Sequence, residues 1–313
     1  MLTYLARRIL ISIPTVFLVT VVVFGLQQLL PGDAALALAG EERDPEAIAY
    51  IRTKYHLDRP VPVQYYFWIR GVFQGDLGES LRINEPVGAL VVEKLPVTLE
   101  LALLAMLISI AIGMPAGIAS AVKKGTGWDY TANVVALSGL SVPNFWLGIM
   151  LILLFSVQFG WLPAAGYVSP MEDPVENLRH MIMPAAVLGT GLAAAMMRHT
   201  RSAMLSVMRQ DYVRTARAKG LNEGVVILKH ALRNALIPII TLASLQFGEL
   251  IAGAVLTEQV FTIPGFGKLI VDAVFNRDYA VVQGVVLCTA VGYILVNLMA
   301  DIGYFLANPK IRV

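Results

Sequence analysis

Apolar residues fall into six long blocks along the chain, at roughly 9–30, 97–121, 132–157, 181–200, 234–256 and 280–306. Polar residues, glycine and proline gather between them. A helix needs about 20 predominantly apolar residues to cross the hydrocarbon of a bilayer, so the pattern predicts six membrane-spanning helices. The first block follows Arg7 and Arg8, as in a signal peptide, but its apolar run is longer than an h-region. Pro31-Gly32-Asp33 is also a poor cleavage context, so the block is expected to stay as a helix. Pro14, Pro115, Pro143, Pro184 and Pro238 fall in or near the spans, and Gly113 and Gly117 make a small-xxx-small pair. Such breaks are tolerated where neighbouring helices or water satisfy the freed backbone. The glycine pair either lets two helices approach closely or is ordinary membrane-helix composition.

The segment 31–96 is too long for a plain connection. Asp44-Pro45 reads as an N-cap followed by proline at the first helical position, and Ile48, Ile51 and Tyr55 recur at helical spacing. A second helical run is expected over 62–74, with Tyr66, Phe67, Trp68, Val72 and Phe73, and GDLGES at 75–80 reads as a turn. The segment is therefore expected to form a small helical cap on the outer face, which contacts a delivery protein, covers the pore or serves as a passive packing lid.

Placement of Lys and Arg predicts orientation. With the N terminus inside, the segments 1–8, 122–131, 198–233 and 307–313 hold 2, 2, 8 and 2 Lys or Arg residues. The short loops on the other side, 158–180 and 257–279, hold only Arg179, Lys268 and Arg277. Long loops such as 31–96 count little in this rule. Both termini are expected to be cytoplasmic.

Composition supports the membrane reading. The chain is 57% hydrophobic and 15% charged, with mean hydropathy +0.68, against about 45–50% and 25% for soluble domains. A net charge of +2 gives no global support to nucleic-acid binding. The single Cys288 excludes an intrachain disulfide, and His56, His180, His199 and His230 lie too far apart in sequence for a recognisable metal motif. A phosphate-binding loop reads GxxxxGK. PGFGK at 264–268 comes nearest, but Thr262 stands at the earlier glycine position. No metal or nucleotide is expected on this chain.

The basic segment 201–233 is the most unusual stretch in so apolar a sequence. Residues 211–219 carry good helix formers and no proline, and Arg214 and Arg217, three apart, share a face. Ala216 and Ala218 keep the surface small. Gly220 is placed to stop the helix at C′, and 223–236 resumes a helical run into the fifth span. A short basic helix held between two spans is shaped to enter a groove on another protein. The same charge would also serve a loop lying on anionic lipid headgroups.

Several stretches carry a resemblance. RTARAKG at 214–220 followed by HALRNALIP at 230–238 resembles the coupling-loop signature of ABC importer permeases. LLPGD (29–33), GDLGES (75–80), VPNFWLG (142–148), DYVRTARAKG (211–220), LTEQVFTIPGFGKL (256–269), RDYAVVQG (277–284) and NPKIR (308–312) resemble, in order, the B-type permease of dipeptide, oligopeptide and nickel importers, which includes glutathione importers. The general loop opens Glu-Ala-Ala, whereas this chain has Arg214-Thr215-Ala216 and a longer spacing from Gly220 to Pro238. The resemblance implies an all-α, polytopic, type I ABC importer transmembrane fold: one permease subunit over 1–313, with a first helix at 9–30, an extracytoplasmic helical loop at 31–96, and a core at 97–306. It implies an inner-membrane location in a bacterium or archaeon. It also implies a second homologous permease, two ATPase subunits that hold the ATP and Mg, and an extracytoplasmic solute-binding protein. Asp211, Tyr212, Arg214, Thr215, Ala216, Arg217, Ala218, Lys219 and Gly220 would make the ATPase-docking helix. Short peptides are the expected cargo, with glutathione or a nickel complex as alternatives.

Polar groups inside spans are costly and often functional. Gln246 and Glu249 sit three apart in the fifth span, and Asn297 and Asp301 four apart in the sixth, so each pair is expected to share a face. They line a path for solute or make helix–helix hydrogen bonds. Ser138, Ser141 and Asn144 are further candidates. Two other classes remain. A secondary transporter needs its own ion site and usually an internal repeat, and no clear repeat is visible. A membrane-embedded enzyme needs a nucleophile–base pair, a metal or paired acids, and no such constellation surrounds Glu258, the acid beside Thr257 at a span edge.

Overall fold

The computed structural model describes residues 2–28, 44–54, 56–80 and 82–307. In chain order it has α1 (Leu2–Gln28), α2 (Pro45–Lys54), α3 (Val61–Phe73), a hairpin of β1 (Glu79–Ser80) and β2 (Glu85–Pro86), α4 (Val87–Val122), α5 (Gly127–Ser141) and α6 (Asn144–Leu151). α7 (Pro174–Met208), α8 (Asp211–Ala218), α9 (Leu232–Gly253), α10 (Val255–Val260), α11 (Phe266–Phe275) and α12 (Tyr279–Ala307) follow. A π-helical stretch, Ile152–Gln158, extends α6, and a second, Val226–Ala231, leads into α9. The all-helical expectation stands apart from the two-residue hairpin, where Glu79 pairs with Pro86 and Ser80 with Glu85.

Among the described residues five helices are long and apolar enough to cross a bilayer: Arg7–Gly25, Val87–Val122, Pro174–Met208, Glu223–Ile251 and Tyr279–Ala300. The block at 132–157 is not one straight span. α5 and the α6 helix are bent by 95° across a short break, so the total is six only if that pair counts as one span. The cause is local. Pro143 has no amide to donate and drives the residue before it out of the helical region, and Val142 is extended at φ −84, ψ 122. α4 and α7 run well past the apolar blocks, because hydropathy marks the lipid-facing length and not the helix ends.

The chain divides into two compact units, 1–97 with 265–294 and 98–264 with 295–313. In the first, Phe24 of α1 meets Tyr65 and Trp68 of α3 at ring distances of 5.5 and 5.6 Å. The Thr20 and Tyr65 hydroxyls are 2.8 Å apart. Val87, Leu90 and Val91 pack with Phe266, Leu269, Ala273, Val281 and Val285. A Cβ on Gly284 would lie 2.4 Å from Val87 Cγ1, so that position needs glycine. In the expected cap region, the backbone amide of Glu46 donates to Asp44 Oδ1 at 3.1 Å, and that of Gly78 to Asp76 Oδ1 at 2.8 Å. Tyr55 and residues 29–43 lie outside the described residues.

In the second unit α7 is central, with α4, α5 and α9 packed on it. The glycine pair does bring helices close. A Cβ at Gly113 or Gly117 would fall 2.6 Å from the carbonyl oxygen of Ala193 or Met197 on α7, and one at Gly189 would fall 2.7 Å from that of Ala105 on α4.

Candidate functional site

The basic segment folds as a short helix between two turns. Gln210 is extended ahead of α8, and Lys219 caps its end. Gly220 follows at φ +76, the left-handed conformation that glycine adopts without a Cβ penalty. Asn222 starts the next run, accepting from the Gly224 amide at 2.9 Å. Two apolar residues, Val213 and Ala216, are buried against Val207 and Val226 and hold α8 to its neighbours. Ala216 is therefore turned inward, contrary to its expected place on the small outer surface. Asp211, Tyr212, Arg214, Thr215, Arg217, Ala218, Lys219 and Gly220 are exposed.

The two arginines part company. Arg214 pairs back with Asp211 and its side chain stays 72% exposed. Arg217 reaches forward across the Gly220 turn to Glu223, with Nη2 donating to Oε1 at 2.6 Å and Nε to Oε2 at 3.1 Å. That carboxylate raises the Arg217 pKa above its already high value. Thr215 Oγ1 donates to the Asp211 carbonyl at 2.9 Å. The cationic groups most exposed to another surface are thus Arg214, within its local pair with Asp211, and Lys219, while Arg217 braces the turn.

The structure separates the polar span residues. Gln246 is buried at 4% exposure, its Nε2 donating to the Leu192 carbonyl at 3.2 Å, so it joins α9 to α7. Its Oε1 finds no donor among the described residues. Glu249 is exposed, so the expected shared face of the pair is not found: one turn of α9 places the first residue against α7 and the second outside. Asn297 is half-buried on α12. The Asp301 side chain lies outside the described residues. Ser141 donates to the Leu137 carbonyl at 3.0 Å, a local bond on an exposed position, and Ser138 is exposed. Asn144 is exposed too; a Cβ on Gly191 would lie 3.3 Å from its Oδ1. Among the described residues no group of three His, Cys, Asp or Glu is placed to hold a metal ion.

Among the polar contacts that the sequence does not reveal, because their partners are far apart in the chain, three lie in the second unit. Asp129 of α5 binds Arg201 of α7. Glu258 of α10 is fully buried and accepts from Thr98 Oγ1 at 2.7 Å. Tyr167 donates to Glu100 at 2.9 Å, and burial together with that carboxylate pushes the phenol up to about 12. The LTEQVFTIPGFGKL stretch was the one available hint of the second.

A helical membrane chain with a bent third span and a short basic helix between two long ones has the architecture of an ABC importer permease. Its fold is similar to chains of the MetNI methionine ABC transporter in two inward-facing crystal forms, with TM-scores of 0.58 and 0.57 at 18% identity, covering 70% of this chain and 96% of those. Residues 113–313 match the family described as binding-protein-dependent transport system inner membrane component, and residues 1–102 match its N-terminal family. The chain belongs to this family, as an ABC importer permease of the dipeptide/oligopeptide group and a multi-pass protein of the cytoplasmic membrane. It is 46% identical to the di/tripeptide transport system permease protein DppB of Pseudomonas aeruginosa, over 100% of this chain and 99% of that one. It is 44% identical, at the same coverage, to the dipeptide transport system permease protein DppB of Escherichia coli K12. A putative peptide transport system permease protein of Brucella abortus is 42% identical, again at that coverage. Members of this family work with a binding protein and an ATPase.

Proposed function

We propose that this chain is one of two permease subunits that form the translocation path of an ATP-driven importer of short peptides. The observation that carries the reading is its likeness, end to end and at 42–46% identity, to permeases named for peptide transport. Two ATPase subunits bind and hydrolyse ATP with Mg. An extracytoplasmic solute-binding protein delivers the peptide and selects it. The termini and the 201–233 loop face the cytoplasm, as the Lys and Arg distribution supports.

α8 is the docking helix. Closure of the ATPases on ATP displaces it, and the spans switch the path between inward-open and outward-open by rigid-body motion. Its exposed face of Asp211, Tyr212, Arg214, Thr215, Ala218 and Lys219, anchored from below by Val213 and Ala216, supports this role. The experiment is a mild-detergent pull-down of the tagged chain, read by mass spectrometry, with Gly220→Trp alongside. The space around Gly220 is open, so the bulk projects outward into any docking groove. The native chain is expected to bring down a second permease and ATPase subunits, and the variant to lose only the ATPases. Normal ATPase recovery and normal uptake by Gly220→Trp would refute the docking role. Gly220→Ala separates backbone strain from bulk.

A further inference from the structure

α5 is attached to its unit in an unusual way. Of its 15 residues, only Asp129 and Ala136 are buried. Val134, Val135, Leu137 and Leu140 are exposed, and the apolar cluster joining α5 to α7 amounts to Ala136 with Ala194 and Met197, edged by Ala116 and Ala132. Beside this seam of mostly small residues, a charged pair ties α5 to α7.

The Asp129 carboxylate accepts from five donors. Oδ1 takes Arg201 Nε at 2.8 Å, Ser120 Oγ at 2.5 Å and Asn133 Nδ2 at 2.9 Å. Oδ2 takes Arg201 Nη2 at 2.8 Å and the Gly125 amide at 3.0 Å. The Asp129 side chain is 6% exposed and that of Arg201 25%. A forked arginine–carboxylate pair fixes direction as well as distance. Removing Arg201 would leave the buried Asp129 carboxylate without its counter-charge. The node joins the end of α4 through Ser120, the first turn of α5 through Asp129, and α7 through Arg201.

Its position along the chain gives it a task. From Arg201, α7 runs on only to Met208, about 10 Å at 1.5 Å per residue, before the turn into α8. From Asp129, α5 leads to the 95° bend at Val142-Pro143. We propose that Asp129 and Arg201 are positioning residues of the transport cycle: they lock the start of α5 to the end of α7, so that displacement of the docking helix is delivered to the bent third span. The proposal rests on the docking-helix reading of α8.

The test uses the complete purified complex with its binding protein in proteoliposomes and L-alanyl-L-alanine as the probe. Asp129→Asn, Arg201→Gln, the double variant and Ser120→Ala are compared with the native complex, and peptide uptake by Gly220→Trp is measured in whole cells. Each single change is expected to lower peptide moved per ATP hydrolysed by about tenfold or more, with the ATPases still bound and still hydrolysing ATP. The double variant is expected to be no worse than either single. In a Cys288→Ser background, spin labels at Trp128→Cys and Ser202→Cys are expected to keep one narrow distance with and without ATP, and to spread when Asp129→Asn is added. Wild-type stoichiometry in Asp129→Asn overturns the proposal, as does a label distance that already changes with ATP in the otherwise native protein. Where Asp129→Asn fails to assemble, Ser120→Ala, which removes a single donor, must lower the stoichiometry by about threefold; a normal value overturns the proposal. Normal uptake by Gly220→Trp defeats the docking reading, whereas a defective Gly220→Trp beside a normal Asp129→Asn defeats the node alone.

Discussion

Replacing Gly113 with alanine adds one methyl group at a close approach of α4 to α7. The new Cβ would stand 2.6 Å from the Ala193 carbonyl oxygen, 2.7 Å from Met196 Cβ and 3.0 Å from Met196 Cγ. Carbon–oxygen contacts settle near 3.3–3.6 Å and carbon–carbon contacts near 3.5–4.0 Å. The obstacle is helix backbone, which cannot rotate aside as a side-chain tip can, so the helices must part by roughly 0.7–1 Å. A gap of that size forfeits a quarter to a half of the dispersion between neighbouring atoms, and overpacking of this kind costs about 1–3 kcal/mol. Gly88→Ala is the control, because a Cβ there meets nothing within 4 Å and gains only helix propensity, up to about 1 kcal/mol. The expected difference between the two variants is about 2 kcal/mol. In a thermal melt of the purified 313-residue protein in detergent this places Gly113→Ala about 3 °C below Gly88→Ala. Equal melting temperatures would refute the close approach.

Glu249→Gln is expected to leave assembly unchanged and to alter peptide uptake, because its carboxylate is exposed on a span rather than used in packing; unchanged uptake of several di- and tripeptides would show that the charge has no part in the path. Gln246→Met is expected to leave uptake unchanged and to shift stability by no more than about 1 kcal/mol, because it trades a hydrogen bond worth about that much for removal of a buried acceptor without a described donor; a loss of uptake at normal melting temperature would place Gln246 in the path.

The sequence by itself determined where the chain is apolar, and so the spans. It also determined the short helix at 211–218 and its stop at Gly220, since both follow from local chemistry: helix formers without proline, then the residue that takes a positive φ at no cost. Pro143 was visible, but hydropathy alone ran one continuous span through it; a 95° bend is a backbone event that an apolarity count does not register. Only the tertiary structure decided which residues of a helix face a neighbour. Ala216 went inward because Val226, ten residues on, came to lie against it. Gln246 and Glu249, three apart, were divided between packing and surface by the placement of α7. The Asp129–Arg201 pair was illegible for the same reason. An ion pair is a statement about distance in space, and its partners stand 72 positions apart in a chain whose order carries no record of which helix ends will meet.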